Sequence, residues 1–290
     1  MLDLLQDAVI DTIKLIPFLF ITYLIMEYFE NKTSNKIREK IKKSGKFGPI
    51  IGAVVGIIPQ CGFSASATNL FSSGFITIGT LIAVYLSTSD EMIPIFISES
   101  MPISLMMKIL GIKLILALFW GVVIDLIFGK LLANKNSENQ DLLYEEETDE
   151  ICEDEHCNCH ENGILKASII HTLNITIYIF IITLVINLAI GLIGENTIEE
   201  FIKNNIFLGP IISSLIGLIP NCAASVIITN LYIENVINMA SLISGLLTGA
   251  GVGLLVLFRN NKKHWKKNLE IVGIMYFIGV VSGLVLQIFI

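Results

Sequence analysis

Charge is what this sequence has least of. Only 16% of its 290 residues are Asp, Glu, Lys or Arg, where soluble globular domains carry about 25%. Residues 15–26, 114–128, 175–193 and 271–290 hold few or no charged side chains. A helix crosses the hydrocarbon core with roughly 20 apolar residues, so runs of near that length, with shorter ones between, exclude a soluble core. Ahead of the first apolar run stand Asp3, Asp7 and Asp11, with Lys14 the one basic residue. A cleavable signal peptide has Lys or Arg there, so a retained first helix is expected. Cysteine is sparse, five in all, odd in number and irregularly spaced, which does not suggest a disulfide framework. Nothing resembles a phosphate-binding P-loop, and Gly249, Gly251 and Gly253 read as a tight turn or a close helix approach. No ATP motor, cofactor or nucleic-acid partner is expected. The apolar segments also lack a His-Glu-x-x-His set or a nucleophile with a positioned base, which argues against an intramembrane enzyme.

What the chain does have is an internal repeat. Residues 48–70 (GPIIGAVVGIIPQCGFSASATNL) align without a gap with residues 209–231 (GPIISSLIGLIPNCAASVIITNL), and 12 of the 23 positions are identical. Shared Leu and Ile would follow from apolarity alone. A shared Pro-polar-Cys and Thr-Asn-Leu at one offset do not. The expected fold is all-α and polytopic, with about ten transmembrane segments in two inverted repeats containing broken or re-entrant helices. Its parts are a first repeat at 1–133, an acidic Cys/His-containing linker at 134–166 and a second repeat at 167–290.

Basic residues orient it. Residues 31–46 carry seven Lys or Arg against one Glu, and 259–267 carry five basic residues and no acid. Both are expected in the cytoplasm of a plasma-membrane protein by the positive-inside rule. Segments near 8–29, 48–72, 74–87, 91–105 and 108–132 recur as 168–193, 209–232, 235–248, 251–258 and 268–290. Ten crossings then leave the linker cytoplasmic and the halves inverted, as in many secondary transporters. The segment 251–258 is too short to span. It could instead form a re-entrant hairpin with 235–248, and 48–58 could likewise fold back against 61–72, which would make the halves parallel and the linker external. The inverted reading is preferred.

Pro59 and Pro220 sit mid-way along their segments, where proline removes a donor and frees a carbonyl. In lipid such groups need protein or water as partners, and transporters place substrate sites at such breaks. The expected substrate-binding set is Pro59, Gln60, Cys61, Ser64 and Asn69, with Pro220, Asn221, Cys222, Ser225 and Asn230 from the second copy. Asp90 and Glu91 are candidates for coupling or cation binding, because intramembrane acids are costly; a solvated turn explains them as well. Paired thiols suit a thiophilic metal or metalloid, and amide and hydroxyl oxygens suit a harder ion. The linker adds Cys152, His156, Cys157, Cys159 and His160, ligand types suited to zinc and other soft metals in a spacing that is no zinc finger. It reads as a metal-gathering or sensing segment, or as an acidic loop with incidental cysteines.

Several stretches resemble the ten-helix heavy-metal exporter family, whose members also carry the labels arsenic efflux and manganese transporter proteins. They are Asp11-Thr12 through Met26-Glu27-Tyr28, Phe47-Gly48-Pro49 through Ile58-Pro59-Gln60-Cys61-Gly62-Phe63-Ser64, Leu86-Ser87-Thr88-Ser89-Asp90-Glu91, Ile219-Pro220-Asn221-Cys222-Ala223-Ala224-Ser225, and Leu247-Thr248-Gly249-Ala250-Gly251-Val252-Gly253. The resemblance implies export of a metal or metalloid and leaves the cargo open; no binding residue is carried over from it. The expected partners are the bilayer and that cargo, with homo-oligomerisation left open. Efflux of a hard cation such as manganese, and a membrane metal sensor using the linker, are the alternatives.

Overall fold

The structure, a computed structural model, describes residues 9, 12–13, 16–17, 19–21, 23–24, 47–58, 61–89, 91–133, 164–193 and 208–289. Among them all regular structure is helical, with no strand. In the first half the helices are α1 (Gly48–Gly56), α2 (Cys61–Ser72), α3 (Ile78–Ser87), α4 (Met92–Ser98) and α5 (Ile103–Ala133). Then come α6 (Ile164–Ile193), α7 (Gly209–Gly217), α8 (Cys222–Ile233), α9 (Met239–Thr248), α10 (Val252–Asn260) and α11 (Trp265–Phe289). The bounds of α1, α2 and α3 recur in α7, α8 and α9 at one offset of 161 residues, Gly48 to Gly209.

The local chemistry recurs with the bounds. Thr77 caps α3 by accepting from Thr80 N–H, and Asn238 caps α9 by accepting from Ser241 N–H. Gly74 (φ 71°) ends α2 and Asn235 (φ 59°) ends α8. Each sits in a left-handed turn closed by a 2.8 Å bond, Phe75 N–H to Leu70 O and Val236 N–H to Leu231 O, which is the Schellman pattern.

Small residues set the packing. Gly48, Gly52 and Gly56, spaced by four, form one face of α1. An added Cβ would meet Thr80 at Gly48, Thr80 and Val84 at Gly52, and Val84 and Ser87 at Gly56. The contacts advance together, so α1 and α3 are parallel. In the second half Gly209 meets Ser241, and Gly217 meets Gly245 and Thr248. Against α3, α5 runs antiparallel, with Gly121 beside Ala83 and Gly79 beside Asp125; α11 does the same to α9, with Gly279 beside Thr248 and Gly283 beside Ser244.

Parallel α1 and α3 force α2 to turn back. Residues 73–77 reach at most about 20 Å. Had α2 continued the course of α1, its end would stand roughly 30 Å past the start of α3 at 1.5 Å per residue. The region 48–72, expected to cross as one segment, is therefore a folded-back pair, and so is its counterpart α7–α8. Conversely, 74–87 and 91–105, expected as two crossings, fall largely within one apolar stretch long enough to cross once. Ile78–Ser98, with 21 residues, and Met239–Asn260, with 22, are each long and apolar enough for one crossing. Thr88 (φ −55°, ψ 132°) interrupts the first and Gly251 (φ 53°) the second.

These spans differ in burial. In its most apolar stretch Met239–Asn260 is 94% buried and Ile78–Ser98 71%, whereas Ile103–Ile127 is 28% and Trp265–Phe289 33%. The broken spans are thus inner and α5 and α11 outer, with Ile115, Phe119, Leu126, Phe277 and Ile288 exposed as a lipid-facing surface would be. One apolar cluster joins the halves: Met92 and Phe96 of α4 with Ile227, Ile228 and Leu231 of α8. Reciprocally, α10 packs along α2.

Asp125 fastens α5 to the start of α3. Its carboxylate accepts from Thr77 Oγ1 at 2.7 Å and Gly79 N–H at 2.8 Å. Removing it strands two donors at a helix N-terminus, so Asp125→Ala is expected to cost about 2 kcal/mol. Thermal denaturation of the purified protein measures this; an unchanged midpoint would show the staple to be dispensable.

Candidate functional site: converging helix breaks

Four interruptions face one another in the interior. The ends of α1 and α3 meet where Gly56 abuts Val84 and Ser87, and those of α7 and α9 where Gly217 abuts Gly245 and Thr248. Across the halves, an added Cβ at Gly253, early in α10, would lie 2.8 Å from Tyr85 Cε1 and 3.0 Å from Ser64 Cβ. Thr68 Oγ1 donates to the Gly253 carbonyl at 3.1 Å, and Tyr85 OH lies 3.2 Å from the same oxygen. Tyr85 OH and Thr68 Oγ1 are themselves 2.5 Å apart. The second half-helices α2, α8 and α10 therefore all begin at this level, and α2 and α10 leave it side by side.

Lys113 lies at the same place. It projects from the middle of α5 and is fully buried. Its ammonium donates to the carbonyl of Thr88, which caps α3, and to that of Leu246, in the last turn of α9, at 2.9 Å for the latter. One side chain thus bridges a break in each half. Sequence inspection passed over it, although a lone basic residue in the apolar run 109–124 is itself a signal, since ionisable groups inside a membrane are usually functional.

The residues expected at the site fare differently. Pro59, Gln60 and Asp90 lie outside the described residues, as do Cys152, His156, Cys157, Cys159 and His160. Cys61 is described by its backbone alone, as the first residue of α2. Ser64 is buried against Gly253. Ser225 Oγ would be 3.4 Å from a Cβ at Gly249, which brings it to the break in the α9–α10 span. Asn221 is buried and caps α8, accepting from Ala223 N–H at 3.5 Å. Cys222 is buried, in no disulfide, and packs in an apolar cluster with Val252 and Leu255. Pro220 and Glu91 are half-buried.

Asn69 and Asn230 stand apart from the breaks. Asn69 lies two turns into α2, where its side-chain oxygen accepts from Tyr23 OH at 3.4 Å and Asn260 Nδ2 at 2.8 Å. It ties α2 to the N-terminal segment and to the end of α10. Asn230, its repeat equivalent, is exposed. Among the described residues no three His, Cys, Asp or Glu side chains gather as a metal-binding group.

The chain matches, over residues 1–194 and 171–290, the family model described as "Putative, 10TM heavy-metal exporter". No curated protein and no solved structure matches it. The two matched stretches together run the length of the chain, and its apolar helices fit a multi-pass protein: the chain belongs to this ten-transmembrane heavy-metal exporter family.

Proposed function

We propose that the protein is a secondary exporter of a heavy-metal ion or metalloid, and that access alternates around the four converging breaks. The observation that carries this is the convergence itself. Interrupted helices from two repeated halves meet at one interior level, where transporters of this construction place their cargo.

The proposed topology has three crossings per half. The N-terminal segment crosses, α1–α2 enters and returns, α3–α4 crosses and α5 crosses back; α6, α7–α8, α9–α10 and α11 repeat the series. Three is odd, so the halves are inverted even though α1–α2 folds back. Counting α1, α2, α7 and α8 separately restores ten apolar segments. Residues 31–46 and 259–267 then share the cytoplasmic side, as their charge favours, and the linker joins them. Its Cys152, His156, Cys157, Cys159 and His160 would gather cargo there.

The packing supports a rocking cycle. The three-helix groups α1/α3/α5 and α7/α9/α11 are stitched by glycine and serine: Ser214 and Ser244 Oγ are 2.5 Å apart, and Ser244 Oγ lies 2.7 Å from the Pro210 carbonyl. Each group can move as a body while the contacts of α2 with α10 and α4 with α8 exchange. Cargo contacts are assigned to Gln60, Cys61, Asn221 and Cys222, with Ser64 and Ser225 beside them and Asp90 as a coupling or cation-binding group.

The apolar setting of Cys222 favours a soft cargo, because a thiolate selects thiophilic ions. Replacing Cys61 and Cys222 together by Ser is expected to remove most resistance to arsenicals and soft metals in cells that depend on the protein, with vesicle flux falling in parallel. Undiminished resistance would sink the thiol version and leave oxygen-mediated efflux of a hard cation such as manganese.

A further inference from the structure

We infer that Lys113 is a resident cation. Its ammonium occupies a position that the ends of α3 and α9 would otherwise offer to a monovalent alkali-metal ion. This stands apart from the choice of cargo and from the direction of transport.

A helix leaves its last carbonyls without intrahelical partners, and they carry the negative end of its dipole. Here two such ends, one from each half, point at one spot. Thr88 supplies the C-cap carbonyl of α3 and Leu246 a last-turn carbonyl of α9, and both accept from Lys113. The ends themselves are buried: Leu86, Ser87, Thr88, Leu247 and Thr248 are all at most 2% exposed. Half-helix C-termini with opened carbonyls are how secondary transporters bind a coupling cation. The ammonium brings the same single charge with three donors, but it is tethered by its stem and cannot leave.

The repeat sharpens the point. At an offset of 161 residues the partner of Lys113 is Ile274. Lys113 instead reaches from the first half to the second, where a single cation serves both ends. A bound alkali ion would be redundant in the native protein and would compete with a covalently held charge.

The test is the melting temperature of the purified full-length chain in detergent, in NaCl, KCl or N-methylglucamine chloride at one ionic strength. The native protein is expected to melt at the same temperature in all three. Lys113→Ala is expected to melt lower in N-methylglucamine and to rise by about 3 °C or more, saturably, with NaCl or KCl. Lys113→Arg, which keeps the charge, is expected to stay indifferent to the salt. If Lys113→Ala yields no folded protein, Lys113→Gln takes its place in the same comparison. A neutral variant that Na⁺ and K⁺ stabilise no more than they stabilise the native protein overturns the inference. No transport is measured, so an error in the exporter assignment would not disguise the result.

Discussion

A cysteine placed at Glu234 and one placed at Lys262 are expected to react with a membrane-impermeant maleimide from opposite sides. In cells whose protein has its five native cysteines replaced by Ala, Glu234→Cys should label when the reagent is outside. Lys262→Cys should label only after permeabilisation. Glu234 is exposed and follows α8, while Lys262 is exposed beyond α10. In the proposed topology α7–α8 returns to its side of entry, and one crossing, α9–α10, separates the two positions. If 209–232, 235–248 and 251–258 each crossed, two crossings would separate them and both would label from the cytoplasm. The effect is all-or-none and does not depend on which side is called inside. Labelling of both from one side would remove the folded-back pairs and, with them, the convergence on which the exporter mechanism rests.

Gly56→Ala and Gly217→Ala should each lower thermal stability sharply, whereas Gly111→Ala and Gly273→Ala should leave it unchanged or slightly raised. All four glycines are helical. At Gly56 a new Cβ would stand 2.7 Å from the Val84 carbonyl oxygen, and at Gly217 it would stand 3.0 Å from the Gly245 carbonyl carbon. Backbone atoms cannot swing aside as a side-chain tip can, so α1 must separate from α3, or α7 from α9. Overpacking of this kind costs about 1–3 kcal/mol, occasionally more. At Gly111 and Gly273 the Cβ meets nothing within 4 Å, and Ala gains up to about 1 kcal/mol in helix propensity. Detergent melts of the four variants beside the parent measure the contrast. Equal behaviour would mean that the glycine seams do not hold the half-helices together.

Much of the fold was legible in the sequence for a physical reason. A Pro-polar-Cys break and a Thr-Asn-Leu run cannot recur at one offset through apolarity alone, and the bounds of α7, α8 and α9 reproduce those of α1, α2 and α3. The folding back was not decided there. Proline interrupts a helix but does not say whether the chain bends or reverses. The reversal is set by Gly48, Gly52 and Gly56 holding α1 against α3, and by Gly74 closing a tight turn. The spacing of those glycines was visible; its partner was not. Identity between repeats also overstated what the two asparagines share. Asn69 is met by Tyr23 and Asn260, but at the same offset Asn230 would have Leu184 and Glu99 as partners, and it is exposed. Lys113 escaped notice because its two acceptors are main-chain carbonyls, which no side-chain pattern announces.

The pairing of α2 with α10 has a consequence for how the protein is made. Thr68 donates to a carbonyl 185 residues later in the chain. At a synthesis rate of roughly 5–20 residues per second, α2 waits about 10–40 s for its partner. Through that interval the hydroxyls of Ser64 and Thr68 sit in or beside the bilayer without the helix against which they finally pack. The first half can enter the membrane in order, but it cannot finish folding until the second half is nearly complete.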